Sequence, residues 1–301
     1  MNFLSSDDLS KDEILEIFGI AERLEHNKER LALSENSTAA LYFTEPSTRT
    51  RVSFEVAIAQ LGGTAIYIDS RSTQVSRGET LSDTARMLSS YCDFIVVRTV
   101  NHSDLLEIAR SSRSPVINAL TKLEHPTQAL ADIYTIIKAK GRIEGLRIAF
   151  IGDISQNTCN SLMITAAKLG ADISLVGPTS WKPEPESYSK ARGYGTRIEI
   201  SDSVEEGLHG ADIIYTDTFV SMGDDAEHDV RLKSLHRYQL NAGALLFAPA
   251  SAKVMHPLPA HRGEEVTGEV IDGPQSIVWE QAANKLLLEK ALLLFLERST
   301  A

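Results

Sequence analysis

Short apolar runs alternate with amphipathic helical patterns along almost the whole chain, and that alternation constrains the fold more than any other feature of it. In the first half, 39–43, 65–68, 94–98 and 115–118 read as strands, and helices are predicted to begin near Pro46, Thr80 and Ser103. A further helix opens at 125–128 and places Leu130, Ile133, Tyr134 and Ile137 on one face as far as Gly141. In the second half, 147–153, 172–177, 197–200, 212–217 and 253–255 read as strands and 159–169 as a helix. A last helix over 280–297 carries Ala282, Ala283, Leu286, Ala291 and Leu294 on one side. Strands separated by crossover helices belong to parallel α/β architecture. At 301 residues the chain exceeds the usual single domain. The basic, glycine-punctuated stretch 138–147 is the natural boundary. The expectation is therefore α/β, two doubly wound parallel-sheet domains joined by helices: 1–138, 139–278, and a C-terminal helix over 279–301 that packs back on the first domain.

Charge and cysteine content narrow the partners. The chain has 30 Lys and Arg against 41 Asp and Glu, a net charge of −11. This argues against nucleic acid or an anionic membrane and for small solutes held in locally basic pockets. No apolar run approaches the roughly 18 residues needed to span a bilayer, and the N-terminus lacks a basic segment followed by an apolar one. Cys92 and Cys159 make no disulfide framework, so a reducing cytoplasm is expected.

Doubly wound sheets bind ligands beyond the carboxyl ends of their strands, and Arg98, Asp153, Asp217 and His256 all fall at such ends. The run 43–55 follows the first strand and opens a helix on which Phe54, Ala57, Ile58 and Leu61 form an apolar stripe. Pro46 suits the first helical turn. Backbone N–H groups left unpaired there, the hydroxyls of Ser47, Thr48 and Thr50, and the planar fork of Arg49 together suit phosphate or carboxylate oxygens. His125 and Gln128 lie one helical turn apart, so both can reach one ligand. The loop 74–80 offers Gln74 and Arg77. His256 and His261 read as a proline-rich structural turn; a metal is not expected, because no third and fourth ligands cluster with them in sequence. The segment 152–156 lacks the G-x-G-x-x-G of dinucleotide folds, and no phosphate-binding P-loop is present.

Taken together, S-T-R-T-R at 47–51, Q-V-S-R-G-E-T at 74–80, Arg98, H-P-T-Q-A-L at 125–130, G-D at 152–153, T-D-T-F-V-S-M-G at 216–223 and H-P-L-P-A-H-R-G-E-E at 256–265 resemble, in order and spacing, the aspartate and ornithine carbamoyltransferases. The resemblance covers essentially the whole chain. It implies attack of an amine on carbamoyl phosphate, with no metal or organic cofactor. It implies that Ser47, Thr48, Arg49 and Thr50 hold the phosphate, and that Thr50, Arg98 and His125 polarise the carbonyl. Gln128 and the backbone carbonyl of Leu258 accept the carbamoyl NH₂, beside Pro257. Gln74 and Arg77 reach a neighbouring subunit's site, which implies a homotrimer with shared sites.

On the acceptor side, Asp217 with Ser221 and Met222 resembles the ornithine branch, and Asn157 falls where that branch holds the substrate's α-amino and carboxylate groups. A carboxylate suits a cationic amino acid. The aspartate branch uses arginines in this region, and 219–227 has none. The chain departs from the ornithine branch in several places. Pro257 stands where cysteine is usual in H-C-L-P, Lys285 replaces the arginine of A-E-N-R, Glu45-Pro46 looks more like the aspartate branch, and 154–156 carries an apparent one-residue insertion. Free amines of this kind titrate near 10, so without a thiol Asp217 or the departing phosphate must take the proton. L-ornithine is the expected acceptor. Putrescine, a shorter diamino acid, an acylated ornithine and aspartate remain alternatives, as does a noncatalytic binding subunit of the same fold.

Overall fold

The computed structural model of the chain describes residues 1–26, 31–220 and 228–299. They form two compact units, the first comprising 1–131 and 284–301 and the second 132–283. Each unit is built on a wholly parallel sheet with flanking helices, the expected class.

In the first unit, β1 (Thr38–Phe43), β2 (Thr64–Asp69), β3 (Phe94–Arg98) and β4 (Val116–Leu120) lie in the order β2-β1-β3-β4. Leu41 pairs with Tyr67 on one side and with Val96 on the other. Central β1 is buried from Ala39 to Phe43 and reads as a continuous apolar run, whereas edge strand β2 is partly exposed along its length. The helices are α1 (Lys11–Glu25), α2 (Thr48–Gln60), α3 (Leu81–Tyr91) and α4 (His102–Ser111), with the opening turns of α5 (Pro126–Lys140). Ser10 and Glu13 close a capping box on α1. Phe3 adds a bridge beside β4, with its N–H on the Val116 carbonyl at 2.9 Å. Ala85, Leu88, Leu105 and Ile108 of α3 and α4 cover Ala40, Ile95 and Val97 of the sheet.

The second unit holds β5 (Arg147–Ile151), β6 (Asp172–Val176), β7 (Ile198–Ser201), β8 (Ile213–Thr216) and β9 (Lys253–Met255), in the order β7-β6-β5-β8-β9. Its helices are α6 (Asn157–Lys168), α7 (Pro185–Gly193), α8 (Val204–Leu208), α9 (His228–Leu235), α10 (Ala242–Leu245) and α11 (Gly268–Ile271). The last helix, α12 (Val278–Arg298), contributes its first residues to this unit and 284 onward to the first. Ile151, Val176, Ile214 and Val254 from the sheet share a core with Leu208, Phe219, Leu240 and Ile271.

In both sheets the strand order reverses, between β1 and β3 in one and between β5 and β8 in the other. At such a switch point the following loops diverge to opposite faces and leave a crevice beyond the strand ends. The segments after β1 and β3, and those after β5 and β8, are the ones that carry Ser47 to Thr50, Arg98, Asp153 and Asp217.

Candidate functional site

At the first switch point the chain leaves β1, passes Pro46 and enters α2 at Thr48. Pro46 therefore precedes the cap rather than sitting in the first turn. The reason is local: the Ser47 hydroxyl accepts the Thr50 N–H at 3.3 Å and so fixes Ser47 as the N-cap. The Thr44 N–H donates to the Arg98 carbonyl at 2.9 Å, which ties this loop to the end of β3. Thr48 and Arg49 are exposed, and Thr50 is buried. Arg51, the second guanidinium of the run, is drawn away from the helix end: it pairs with Glu55 at 3.0 Å and lies over the Tyr67 ring at 3.6 Å.

The buried part of this site is assembled from three helices and a strand end. The Lys285 ammonium of α12 donates to Gln128 Oε1 at 3.1 Å and to Thr50 Oγ1 at 3.3 Å, and lies 3.5 Å from His125 Nε2. An ammonium has no lone pair, so in this arrangement His125 Nε2 is the acceptor and the ring proton sits on Nδ1, 3.3 Å from the Thr127 hydroxyl. Burial, reinforced by the charges of Lys285 and Arg98, pushes His125 well below the usual imidazole range, which leaves it neutral. Burial and the charge of Arg49 lower Arg98 to about 10, with Glu45 opposing, and its Nε is buried without a hydrogen-bond partner. One turn beyond Lys285, burial raises Glu289 to about 8 against the pull of Lys285. The Ser53 hydroxyl, which donates to the Thr50 carbonyl at 3.2 Å, also works against that rise.

Gln74 and Arg77 lie apart from this cluster in character, both exposed in a short 3₁₀ turn closed by Gly78 at φ 101°. Thr50, His125, Gln128 and Lys285 are thus brought together, Arg49 and Arg98 feel one another's charge, and Gln74 and Arg77 face solvent.

At the second switch point Gly152 turns the chain at φ 120°, and a Cβ there would come within 2.9 Å of the Phe219 ring, so glycine is required. Asp153 follows and accepts from the Arg231 guanidinium at 2.7 Å and the Ser155 hydroxyl at 2.5 Å. Helix α6 begins at Asn157, two residues earlier than the apolar pattern indicated, with Gln156 extended at the N-cap position and making no side-chain cap bond. Asp217 follows β8. Its Oδ2 accepts the Thr158 hydroxyl at 2.6 Å, and its Oδ1 accepts the Thr218 N–H at 2.7 Å. Burial raises the Asp217 pKa, while His256, Thr158 and the Thr218 N–H work against that rise. Ser221 and Met222 lie outside the described residues.

Around 256–265 the proline-rich turn is held by one histidine. Leu258 N–H donates to His256 Nδ1 at 2.9 Å, so Nε2 carries the proton and donates to Glu265 Oε1 at 3.0 Å. His261 N–H reaches the same oxygen at 2.6 Å. This loop keeps Leu258 at φ 60°, a left-handed backbone that costs a branched residue about 1 kcal/mol and redirects its carbonyl. Pro257 between them offers neither thiol nor N–H. Glu264 and Glu265 each bring a carboxylate oxygen within 4.8 Å of a His261 ring nitrogen, a grouping that the spacing of the two histidines alone did not reveal. Thr158, Glu265 and Glu289 were not singled out from the sequence. Each is adjacent to, or one turn from, a candidate residue, but no motif marks a threonine or glutamate as buried.

Residues 1–138 match the family model described as aspartate/ornithine carbamoyltransferase, carbamoyl-P binding domain, and residues 144–296 match its Asp/Orn binding domain. The chain is 43% identical to the ornithine carbamoyltransferase of Archaeoglobus fulgidus over 97% of its own length and 96% of that protein's. Among solved structures, ornithine carbamoyltransferase from Pyrococcus furiosus superposes with a TM-score of 0.92 at 41% identity, covering 97% of this chain and 95% of that one. The anabolic ornithine carbamoyltransferase from Campylobacter jejuni gives 0.92 at 41% identity, with 99% of each chain covered.

Proposed function

The chain belongs to the aspartate/ornithine carbamoyltransferase family and is a carbamoyltransferase, and we propose that it transfers the carbamoyl group of carbamoyl phosphate to the side-chain amine of L-ornithine, giving L-citrulline and phosphate. The observation that carries the donor half is the convergence of Thr50, Gln128 and neutral His125 on the Lys285 ammonium, at the crevice end of a sheet whose helix α2 opens with Ser47, Thr48 and Arg49.

Donor binding needs cations and N–H groups for a phosphate dianion, and a donor for the oxyanion that develops on the carbonyl. In this reading Ser47, Thr48, Arg49 and Thr50 hold the phosphate, and Arg98 with Thr50 faces the carbonyl oxygen. His125 can donate to that oxygen only with its proton on Nε2, so Lys285 must turn from the ring to the phosphate when donor binds. Gln128 Oε1, released by the same movement, takes the carbamoyl NH₂. Gln74 and Arg77 complete the site of a neighbouring copy in a homotrimer.

On the acceptor side Asn157 meets the α-amino and carboxylate groups, Ser221 and Met222 are further acceptor contacts, and ionised Asp217 faces the amine. The neutral amine attacks the carbamoyl carbon and the new N–C bond forms. The bond from that carbon to the phosphate oxygen then breaks, and the amine's surplus proton leaves on the phosphate. Asp217 holds the amine during attack and replaces the absent thiol contact at Pro257. No helix among the described residues is long and apolar enough to cross a membrane, which accords with a cytoplasmic enzyme.

The test is a product assay with carbamoyl phosphate against ornithine, putrescine, diaminopropionate, N-acetylornithine and aspartate. Citrulline formation at the highest kcat/KM of the panel is the expected result. Preference for another acceptor overturns the ornithine reading, and turnover of none with phosphate still bound favours a binding subunit.

A further inference from the structure

Of the groups that touch Asp217, one is a side chain on a different element: the Thr158 hydroxyl, in the first turn of α6, at 2.6 Å from Oδ2. Both partners are buried. A hydroxyl-to-carboxylate distance in this range is that of a charge-assisted hydrogen bond, stronger than a bond between neutral groups. The Asp217 Oδ1 is held independently by the Thr218 N–H at 2.7 Å, so the two oxygens are fixed by two different segments and the carboxylate plane cannot rotate freely. A carboxylate has about four lone-pair sites, and these two bonds, with a longer one from the Thr218 hydroxyl to Oδ1 at 3.5 Å, leave room for an N–H donor of an amine.

We infer that Thr158 is a positioning residue for the acceptor amine, acting through Asp217: its hydroxyl orients the carboxylate and keeps it charged. The inference rests on the assignment of Asp217 to the acceptor. The energetic need for such a donor is plain from the surroundings. The other titratable groups that act on Asp217 or feel its charge are His256, Glu265, Cys159 and Tyr215, and of these only His256 favours the ionised form. Burial disfavours it most of all. A hydroxyl donates more strongly to the charged carboxylate than to the neutral acid, so deleting it shifts the balance toward the protonated acid, which offers the amine a weaker partner. Threonine rather than serine at 158 also holds its hydroxyl in few rotamers on a helix.

The test compares Thr158→Val, nearly the same shape without the hydroxyl, with Thr158→Ser and Asp217→Asn, each checked by thermal unfolding. With carbamoyl phosphate saturating, log kcat/KM for ornithine rises with unit slope below pH 8 from titration of the amine itself. Protonation of Asp217 adds a second unit of slope below its own pKa. Thr158→Val is expected to lower kcat/KM for ornithine roughly tenfold or more, the worth of a hydrogen bond to a charged group. It should also move the break between the two slopes up by about one pH unit, with KM for carbamoyl phosphate unchanged. Thr158→Ser should restore most of both. If Asp217→Asn is inactive while Thr158→Val keeps the wild-type break and kcat/KM, the positioning inference is wrong. If Asp217→Asn turns over ornithine normally, the acceptor assignment of Asp217 fails and the inference with it. Should Thr158→Val fail to fold, the same two readouts on Thr158→Ala against Thr158→Ser decide the matter.

Discussion

The two sheets present buried charge of opposite sign at equivalent places. At the β1/β3 switch point the buried groups are cations or a cation-flanked imidazole, and burial drives each toward its neutral form: Arg98 down to about 10, His125 well below its usual range. At the β5/β8 switch point the buried group is Asp217, a carboxylate, and burial drives it upward. Each site thus holds a charge that its own interior disfavours, and a ligand of opposite charge relieves that cost. In the proposed reading a phosphate dianion does so in the first, and the cationic acceptor, before it gives up a proton for attack, does so in the second. Topology does not distinguish the two units here; the sign of the stranded charge does.

The largest expected effect comes from removing Arg49, the exposed guanidinium proposed to hold the phosphate. Arg49→Ala is expected to cost roughly 10²–10³-fold or more in kcat, the scale of a lost transition-state donor, with thermal unfolding unchanged because Arg49 is exposed. Arg77→Ala should be similarly inactive, though its residue is equally exposed and outside the buried cluster. Mixing the two variants separates a local role from a shared one. If each site takes Arg49 from one copy and Arg77 from the next, random trimers restore about a quarter of the sites, since each of the two residues is intact with probability one half. Refolded mixtures that recover no activity would show that sites are not shared.

How far the sequence carried this comparison differs between the two sheets for a physical reason. The donor side is contiguous: a strand, a capping serine, a threonine and an arginine fall within 38–50, and a helix N-terminus with hydroxyls is an anion site by local geometry alone. His125 and Gln128 were legible because one helical turn separates them. One misreading on this side was also local. Pro46 satisfies the rule for a first helical turn, but Ser47 competes for the cap and wins because its hydroxyl can accept the Thr50 N–H. Arg51, the second guanidinium of the run, is taken by its i+4 neighbour Glu55 and the Tyr67 ring. The acceptor side is not contiguous. Thr158 meets Asp217 across 59 residues and His256 meets Glu265 through a turn, and neither pairing has a periodicity that a single sequence can display. The Lys285 and Thr50 contact spans 235 residues, so the departure from arginine was visible in sequence while its partners were not.

That departure gives the next prediction, intermediate in size. Lys285→Met removes one of the two buried cations of the donor site, and leaves Thr50, Gln128 and Glu289 without it. Donor KM should rise roughly tenfold to a hundredfold, by the loss of hydrogen bonds to a charged group, while KM for the amine stays the same. Lys285→Arg keeps the charge, and a guanidinium fork suits a phosphate. It should hold donor KM within about tenfold of the wild type, limited by the extra volume in a site packed for an ammonium. Equal effects of the two variants on both substrates would dissolve the division of labour between the sheets.

The smallest effect concerns stability and tests whether burial alone sets these charges. Glu289 is the acid that the donor side buries beside its cations, and it is raised to about 8. Between the ordinary carboxylate value, about 4.3 in the unfolded chain, and about 8, the folded protein keeps a proton on Glu289 that the unfolded chain has released. The slope of stability with pH follows the protons bound by the unfolded state less those bound by the folded state. That difference is negative here, so this group lowers stability as pH rises through the window and adds no further change above it. Glutamine resembles the protonated acid. Glu289→Gln should therefore come closest to the wild type in urea unfolding at about pH 4 and be clearly the more stable of the two at pH 8.5. That value already includes the compensation from Lys285 one turn away, which stabilises the ionised form. In the Lys285→Met background that compensation is gone, and the gain from Glu289→Gln at pH 8.5 should grow. A gain that is equal in both backgrounds would mean that Lys285 does not act on Glu289, and that the cation is held by Thr50 and Gln128 alone.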